Sequence, residues 1–246
     1  MCFPPGLQHK LYADDLKLYG PSGDVTARAL LQSGVDAVST WCEANDMVIS
    51  IQKCLTLCSH QQSHVYTLNG IAIPVVNSAR DLGITMTPEL DFDLHINQLL
   101  RSASIATSLI FRCFLIKSPE FYINIYRSLV IPKFLYCSEV WRPYMRKHVE
   151  AIERVQRRFL RRVAFRCGID RASLFLPPIS ELHSRADRRM YKRLLRTGDI
   201  SHFVNVRENA LRSGQTITAI EVARTERLNN IFAWRIVRAL RSDPPD

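Results

Sequence analysis

The stretch "LYADDLKLYG", residues 11–20, sets two adjacent carboxylates, Asp14 and Asp15, between short runs in which apolar and polar residues alternate. A period of two is the mark of a strand, and the Asp pair interrupts it. The stretch therefore predicts two short strands meeting at a tight turn, with the carboxylates at the bend. Asp favours turns and solubilises a hairpin tip on its own account. Leu11, Tyr12 and Ala13 before the pair and Leu16, Leu18 and Tyr19 after it nevertheless predict buried strands, where paired carboxylates are costly unless cations neutralise them. A divalent ion is the natural neutraliser, and Mg²⁺ is held by one or two carboxylates together with substrate phosphates.

Outward from this hairpin, Ser22 or Asp24 is placed to cap a helix in which Val25, Leu30, Leu31, Val35, Val38 and Trp41 fall near helical spacing. Strands are expected at "MVISI" (47–51), paired with "LTLCS" (55–59), and Asn69-Gly70 predicts a type I′ turn within "VYTLNGIAIP" (65–74). "ARDLGITM" (79–86) reads as one more strand. From Pro88 the apolar spacing changes to three and four. Helices are expected over 91–115, over 118–130 with Ser118 as cap and Pro119 in the first turn, and over 146–166 with Gly168 as terminator. Pro132 breaks the run before "KFLYCSEVW" (133–141). Beyond the rigid Pro177-Pro178 joint, 179–198 and 221–242 read as further helices. The resulting class is α+β: an antiparallel-sheet region over 1–88, a helical region over 89–198 and a helical C-terminal extension over 199–246.

At 246 residues and 47% hydrophobic, the chain can bury a sizeable core. Its 33 basic against 23 acidic residues leave a formal net charge of +10, which makes nucleic acid the first expected partner and an anionic membrane surface the second. No apolar window is long enough to span a bilayer and the N-terminal residues lack a secretory pattern, so a soluble intracellular protein is expected, nucleus or cytoplasm unresolved. The seven cysteines, an odd number scattered through periodic apolar segments, read as reduced and buried. Cys54, Cys58, His60 and His64 are strung along a predicted strand, unlike the tight paired spacing of a zinc knuckle. Trp41, Trp141, Trp234 and His95 lie on apolar faces and read as packing residues.

The basic helix carries the strongest charge signal. Val149, Ile152, Val155, Phe159, Leu160 and Val163 gather within an arc of about 140°. Arg154, Arg157, Arg158, Arg161, Arg162 and Arg166 fill most of the remainder with almost no acid between them. A charge run is ordinarily a solvated face. Arginines this dense repel one another without a counter-charge, and the guanidinium suits phosphate geometry, so contact with a duplex backbone is the favoured reading.

"YADD" resembles the Tyr-x-Asp-Asp motif of reverse transcriptases of non-LTR, LINE-like retrotransposons of the jockey and CR1 type. Several segments from about Lys10 to Leu195 resemble the same family in order: "VDAVSTWCEANDMVISIQKC", "ARDLGITMTPELDFDLHI", "IYRSLVIPKFLYCSEVWRP" and "IERVQRRFLRR". The resemblance implies a palm followed by a helical thumb, and phosphoryl transfer assisted by two Mg²⁺ ions. It assigns metal-ligand positions to Asp14 and Asp15, a place near the primer end to Tyr12, and leaving-group stabilisation to Lys53. Leu82 and Gly83 fall in a primer-gripping hairpin, and the implied partners are an RNA template and DNA primer, or their hybrid. Two positions depart from the pattern. Ser50 stands where the family often has Asn, and no acid occurs among the eleven residues before Tyr12, where the family carries a further metal-binding Asp on an upstream strand. The expectation is a fragment of an RNA-directed DNA polymerase, inactive alone, with an exposed apolar edge on the "LYADDLKLY" hairpin. The rivals are a catalytically dead nucleic-acid-binding module and a decayed reading frame.

Overall fold

A computed structural model describes residues 3–21, 24–58, 64–197, 207–210 and 216–219, together with Arg235. The architecture is mixed α and β, with helices predominating, and the chain divides into two compact units, Met1–Leu94 and His95–Asp246.

In the first unit, β1 (Gln8–Tyr12) and β2 (Asp15–Tyr19) form the hairpin expected around the Asp pair, with Tyr12 opposite Asp15. Helix α1 (Val25–Ala44) follows, and the Asp24 carboxylate caps it by accepting from the Thr26 N–H. Gly34 lies where α1 crosses the hairpin. A Cβ there would stand 2.5 Å from a Leu7 methyl and 3.3 Å from Leu18, so the side-chain-free position lets helix and strand pack closely. Strands β3 (Thr56–Leu57), β4 (Thr67–Leu68), β5 (Ile71–Ala72) and β6 (Val75–Val76) are two residues each. Asn69 and Gly70 between β4 and β5 both have positive φ, 51° and 77°, the geometry of the expected type I′ turn. Gln32 of α1 bonds both backbone groups of Thr67, its amide donating to the carbonyl at 2.8 Å and accepting from the N–H at 3.0 Å. The side chain thus behaves like a neighbouring strand.

Three expectations for this unit change. "MVISI" is not a strand. Met47 N–H bonds back to Cys42 O as the chain leaves α1, Val48 is 96% exposed, and Ile51–Lys53 forms a 3₁₀ turn. Alternation without a partner edge does not make a strand. Thr56-Leu57 pairs instead with Val75-Val76, in parallel. "ARDLGITM" is two strands, β7 (Ala79–Asp81) and β8 (Ile84–Met86), folded at Leu82-Gly83 with φ of 44° and 86°. Among the described residues, the sheets are all two-stranded.

The second unit contains most of α2 (Asp93–Cys113), then α3 (Pro119–Leu129), α4 (Ile131–Leu135), α5 (Ser138–Trp141), α6 (Arg146–Cys167) and α7 (Ile179–Thr197). Ser118 caps α3 through the Phe121 N–H, and Gly168 ends α6 at φ 67°. The core is aromatic: Tyr122, Tyr126, Phe134, Trp141 and Phe159 are almost wholly enclosed, with Tyr126 stacked on Phe159 at 4.1 Å. His95 and His183 pack edge-on against Trp141, and the indole N–H donates to Tyr136 O. Residues 207–219 fall in the predicted helical extension, yet β9 (Arg207–Ala210) and β10 (Thr216–Ala219) pair antiparallel there, in keeping with the β-branched Thr216, Ile217 and Thr218. The helix predicted over 221–242, with Trp234, lies outside the described residues apart from Arg235. Of the described cysteines only Cys42 is buried; Cys54, Cys58, Cys137 and Cys167 are part-exposed and Cys113 is exposed, contrary to the buried set expected.

Candidate carboxylate hairpin and nucleic-acid interface

Asp14 sits in the turn beside Ala13, whose φ is 52°, and Asp15 opens β2. Both are exposed, as is every residue of β1; Leu11 is 68% and Tyr12 66% accessible. The buried turn inferred from the apolar flanks is therefore overturned. A two-stranded sheet with α1 packed near Leu7 and Leu18 leaves its outer positions in water, and hydrated carboxylates need no neutralising cation. The exposed apolar hairpin that was expected is present.

Lys17 of β2 reaches Asp81 at the end of β7, with its ammonium 2.6 Å and 2.7 Å from the two carboxylate oxygens. This ion pair brings the Asp14–Asp15 hairpin and the Leu82-Gly83 hairpin together. Neither Lys17 nor Asp81 stands out in the sequence, because the pair spans 64 residues. Lys53 is exposed on the 3₁₀ turn that begins after Ser50. Two carboxylates adjacent on one turn do not fit a pair of ions, which needs ligands converging from separate elements. Among the described residues no further His, Cys, Asp or Glu joins them in a metal-binding group.

In the second unit α6 presents the predicted two faces. Ile152, Val155, Phe159, Leu160 and Val163 are buried; Arg154, Arg157, Arg158, Arg161 and Arg162 are exposed. The acids of this helix are both engaged. Glu150 pairs with Arg146, and Glu153 accepts from the Ser180 N–H in the first turn of α7. From Arg154 onward α6 carries no acid. Arg162 lies over the Phe111 ring, 4.4 Å from its centroid. Arg166 departs from the predicted basic face. Its guanidinium donates to Phe111 O and Phe114 O, satisfying carbonyls at the C-terminal end of α2.

Beneath α6 is a charged cluster that sequence spacing could not reveal. Asp187 of α7 accepts from Arg142 at 2.7 Å and from Arg235 at 2.9 Å and 3.2 Å. Beside it the buried His183 donates from Nε2 to Phe134 O at 2.7 Å, and burial lowers its pKa to about 4, with the Arg142 and Arg235 charges acting in the same direction.

No family model matches the chain, and no solved structure matches it. An uncharacterized protein of Caenorhabditis elegans is 29% identical over 101 residues, 41% of this chain and 51% of that protein. The RNA-directed DNA polymerase from the mobile element jockey of Drosophila melanogaster is 27% identical over 162 residues, 62% of this chain and 18% of that protein. The chain thus spans about half the length of one relative and under a fifth of the other. The second likeness supports a distant relation to a reverse transcriptase. Among the described residues, no helix is long and apolar enough to cross a membrane.

Proposed function

We propose that this chain is a nucleic-acid-binding portion of a mobile-element RNA-directed DNA polymerase and grips an RNA–DNA hybrid through the exposed arginine face of α6. The observation that carries this reading is the run Arg154, Arg157, Arg158 and Arg161, exposed, without ion pairs among the described residues and on a helix whose own acids are engaged elsewhere. The planar guanidinium fork is pre-organised, so an arginine loses less freedom for each hydrogen bond to a phosphate than a lysine does. The match to the jockey polymerase supports a nucleic-acid partner. In the same reading Asp14 and Asp15 provide part of a Mg²⁺ site, Lys53 lies near the departing pyrophosphate, and Tyr12, Leu82 and Gly83 line the primer. Because Asp14 and Asp15 do not clamp two ions by themselves, nucleotide transfer is not proposed for the chain alone.

The test is fluorescence anisotropy with a labelled RNA–DNA hybrid over a salt series. Affinity is expected to fall steeply with salt, by a factor governed by roughly 0.9 counterion per phosphate neutralised. Arg158→Glu with Arg161→Glu is expected to weaken binding uniformly across sequences and to flatten that dependence by about one unit for each phosphate no longer neutralised. Binding that ignores both substitutions sinks the interface. A primer-extension assay of the purified chain with Mg²⁺ is expected to yield no product, and extension would overturn the incompleteness of the carboxylate site.

A further inference from the structure

Phe165 is 90% exposed near the C-terminal end of α6, more than any other aromatic side chain among the described residues. Its helical phase explains this. At about 100° per residue, Phe165 falls about 20° from Arg154 and between Arg158 and Arg161, so the four side chains share an arc of about 60°. Ile152, Phe159 and Val163, all buried, lie roughly opposite. The ring is aimed away from the core and continues the arginine stripe, one turn beyond Arg161 and about 16 Å along the axis from Arg154. Leu115, 78% exposed, adds apolar surface at the same end of the helix, in the loop whose Phe114 carbonyl is held by Arg166.

A duplex backbone uses the arginines but offers nothing to the ring, because paired bases hide their faces in the stack. An unpaired nucleotide exposes a π-face that any aromatic side chain can cover, without regard to sequence. We infer that α6 binds a junction between hybrid duplex and single strand, with Arg154, Arg158 and Arg161 on the phosphates and Phe165 stacked on the first unpaired base. This rests on the reading of α6 as a nucleic-acid surface and adds the kind of nucleic acid that surface selects.

The experiment compares a blunt RNA–DNA hybrid with the same hybrid carrying a single-stranded overhang, its first unpaired base replaced by 2-aminopurine. The whole chain is expected to bind the overhang probe about tenfold more tightly and to quench the 2-aminopurine. Phe165→Ala is expected to abolish the tenfold advantage and the quenching while leaving blunt-hybrid affinity and its salt dependence unchanged. Phe165→Trp is expected to keep both. An overhang preference that survives Phe165→Ala overturns the inference while the arginine surface stands. Equal weakening of both probes overturns it too, as does a fall in oligomeric mass by light scattering in Phe165→Ala, which would make the ring part of an interface between copies of the chain. If Arg158→Glu with Arg161→Glu leaves blunt-hybrid binding intact, the underlying reading fails as well.

Discussion

The carboxylate hairpin and the basic helix rest on foundations of different depth. In the first unit the buried apolar residues among those described are Leu7, Cys42, Leu68, Ile73, Ala79 and Ile84, a thin layer beneath two-stranded sheets. In the second, Tyr122, Tyr126, Phe134, Trp141, Phe159, Ile152 and Ile179 are fully enclosed under α6 and α7. A face of fixed geometry can be built over such a core, because each helix position is determined by many side chains at once. A two-stranded hairpin has little beneath it and gains order from what it touches. The arginine surface is accordingly self-sufficient, and the carboxylate turn is not.

The largest test of this contrast is Phe159→Ala. It removes a ring stacked on Tyr126 and tilted against Phe111, and a loss of about 3–5 kcal/mol is expected in denaturant unfolding followed by circular dichroism. Leu11→Ser, at a position 68% exposed, is expected to change stability negligibly. Comparable losses from the two variants would erase the distinction. Next in size is acid sensitivity of the second unit. His183 is held neutral with a pKa of about 4, while the unfolded chain takes up that proton near the ordinary histidine value of 6.5. The unfolded state therefore binds more protons between these values. Stability is full above about pH 6.5 and falls as pH drops toward 4, by roughly 3 kcal/mol from this group. Stability measurements across that range on the native chain and on His183→Gln check the slope; a slope unchanged in the variant would assign it elsewhere. The smallest effect belongs to the first unit. Lys17→Met breaks the pair with Asp81, and because both side chains are about a third exposed, a loss of no more than about 1 kcal/mol is expected, diminishing with salt.

Local signals are legible in the sequence. The turn at Asp14, the Asp24 and Ser118 caps, the Asn69-Gly70 hairpin and the Gly168 stop each depend on residues within a few positions, and each forms as the residues dictate. "MVISI" misleads because alternation reports a face but not a partner, and Val48 has none to cover it. The expected burial of the Asp turn fails for the same reason. Phe165 escapes the hydrophobic pattern of α6 because that pattern follows the core side of the helix, and a single ring outside the arc does not alter it. Arg142, Asp187 and Arg235 cannot be joined from spacing at all, being 45 and 48 residues apart.

The Lys17–Asp81 pair also bears on how such chains diverge. It joins two hairpins across most of the first unit with a single pair of opposite charges, and the loss of either residue leaves the other without its ion-pair partner. Substitutions at the two positions are therefore linked in descent: lineages that lose the lysine should lose or reverse the aspartate too, and aligned sequences of related elements would record the pair as a covarying couple.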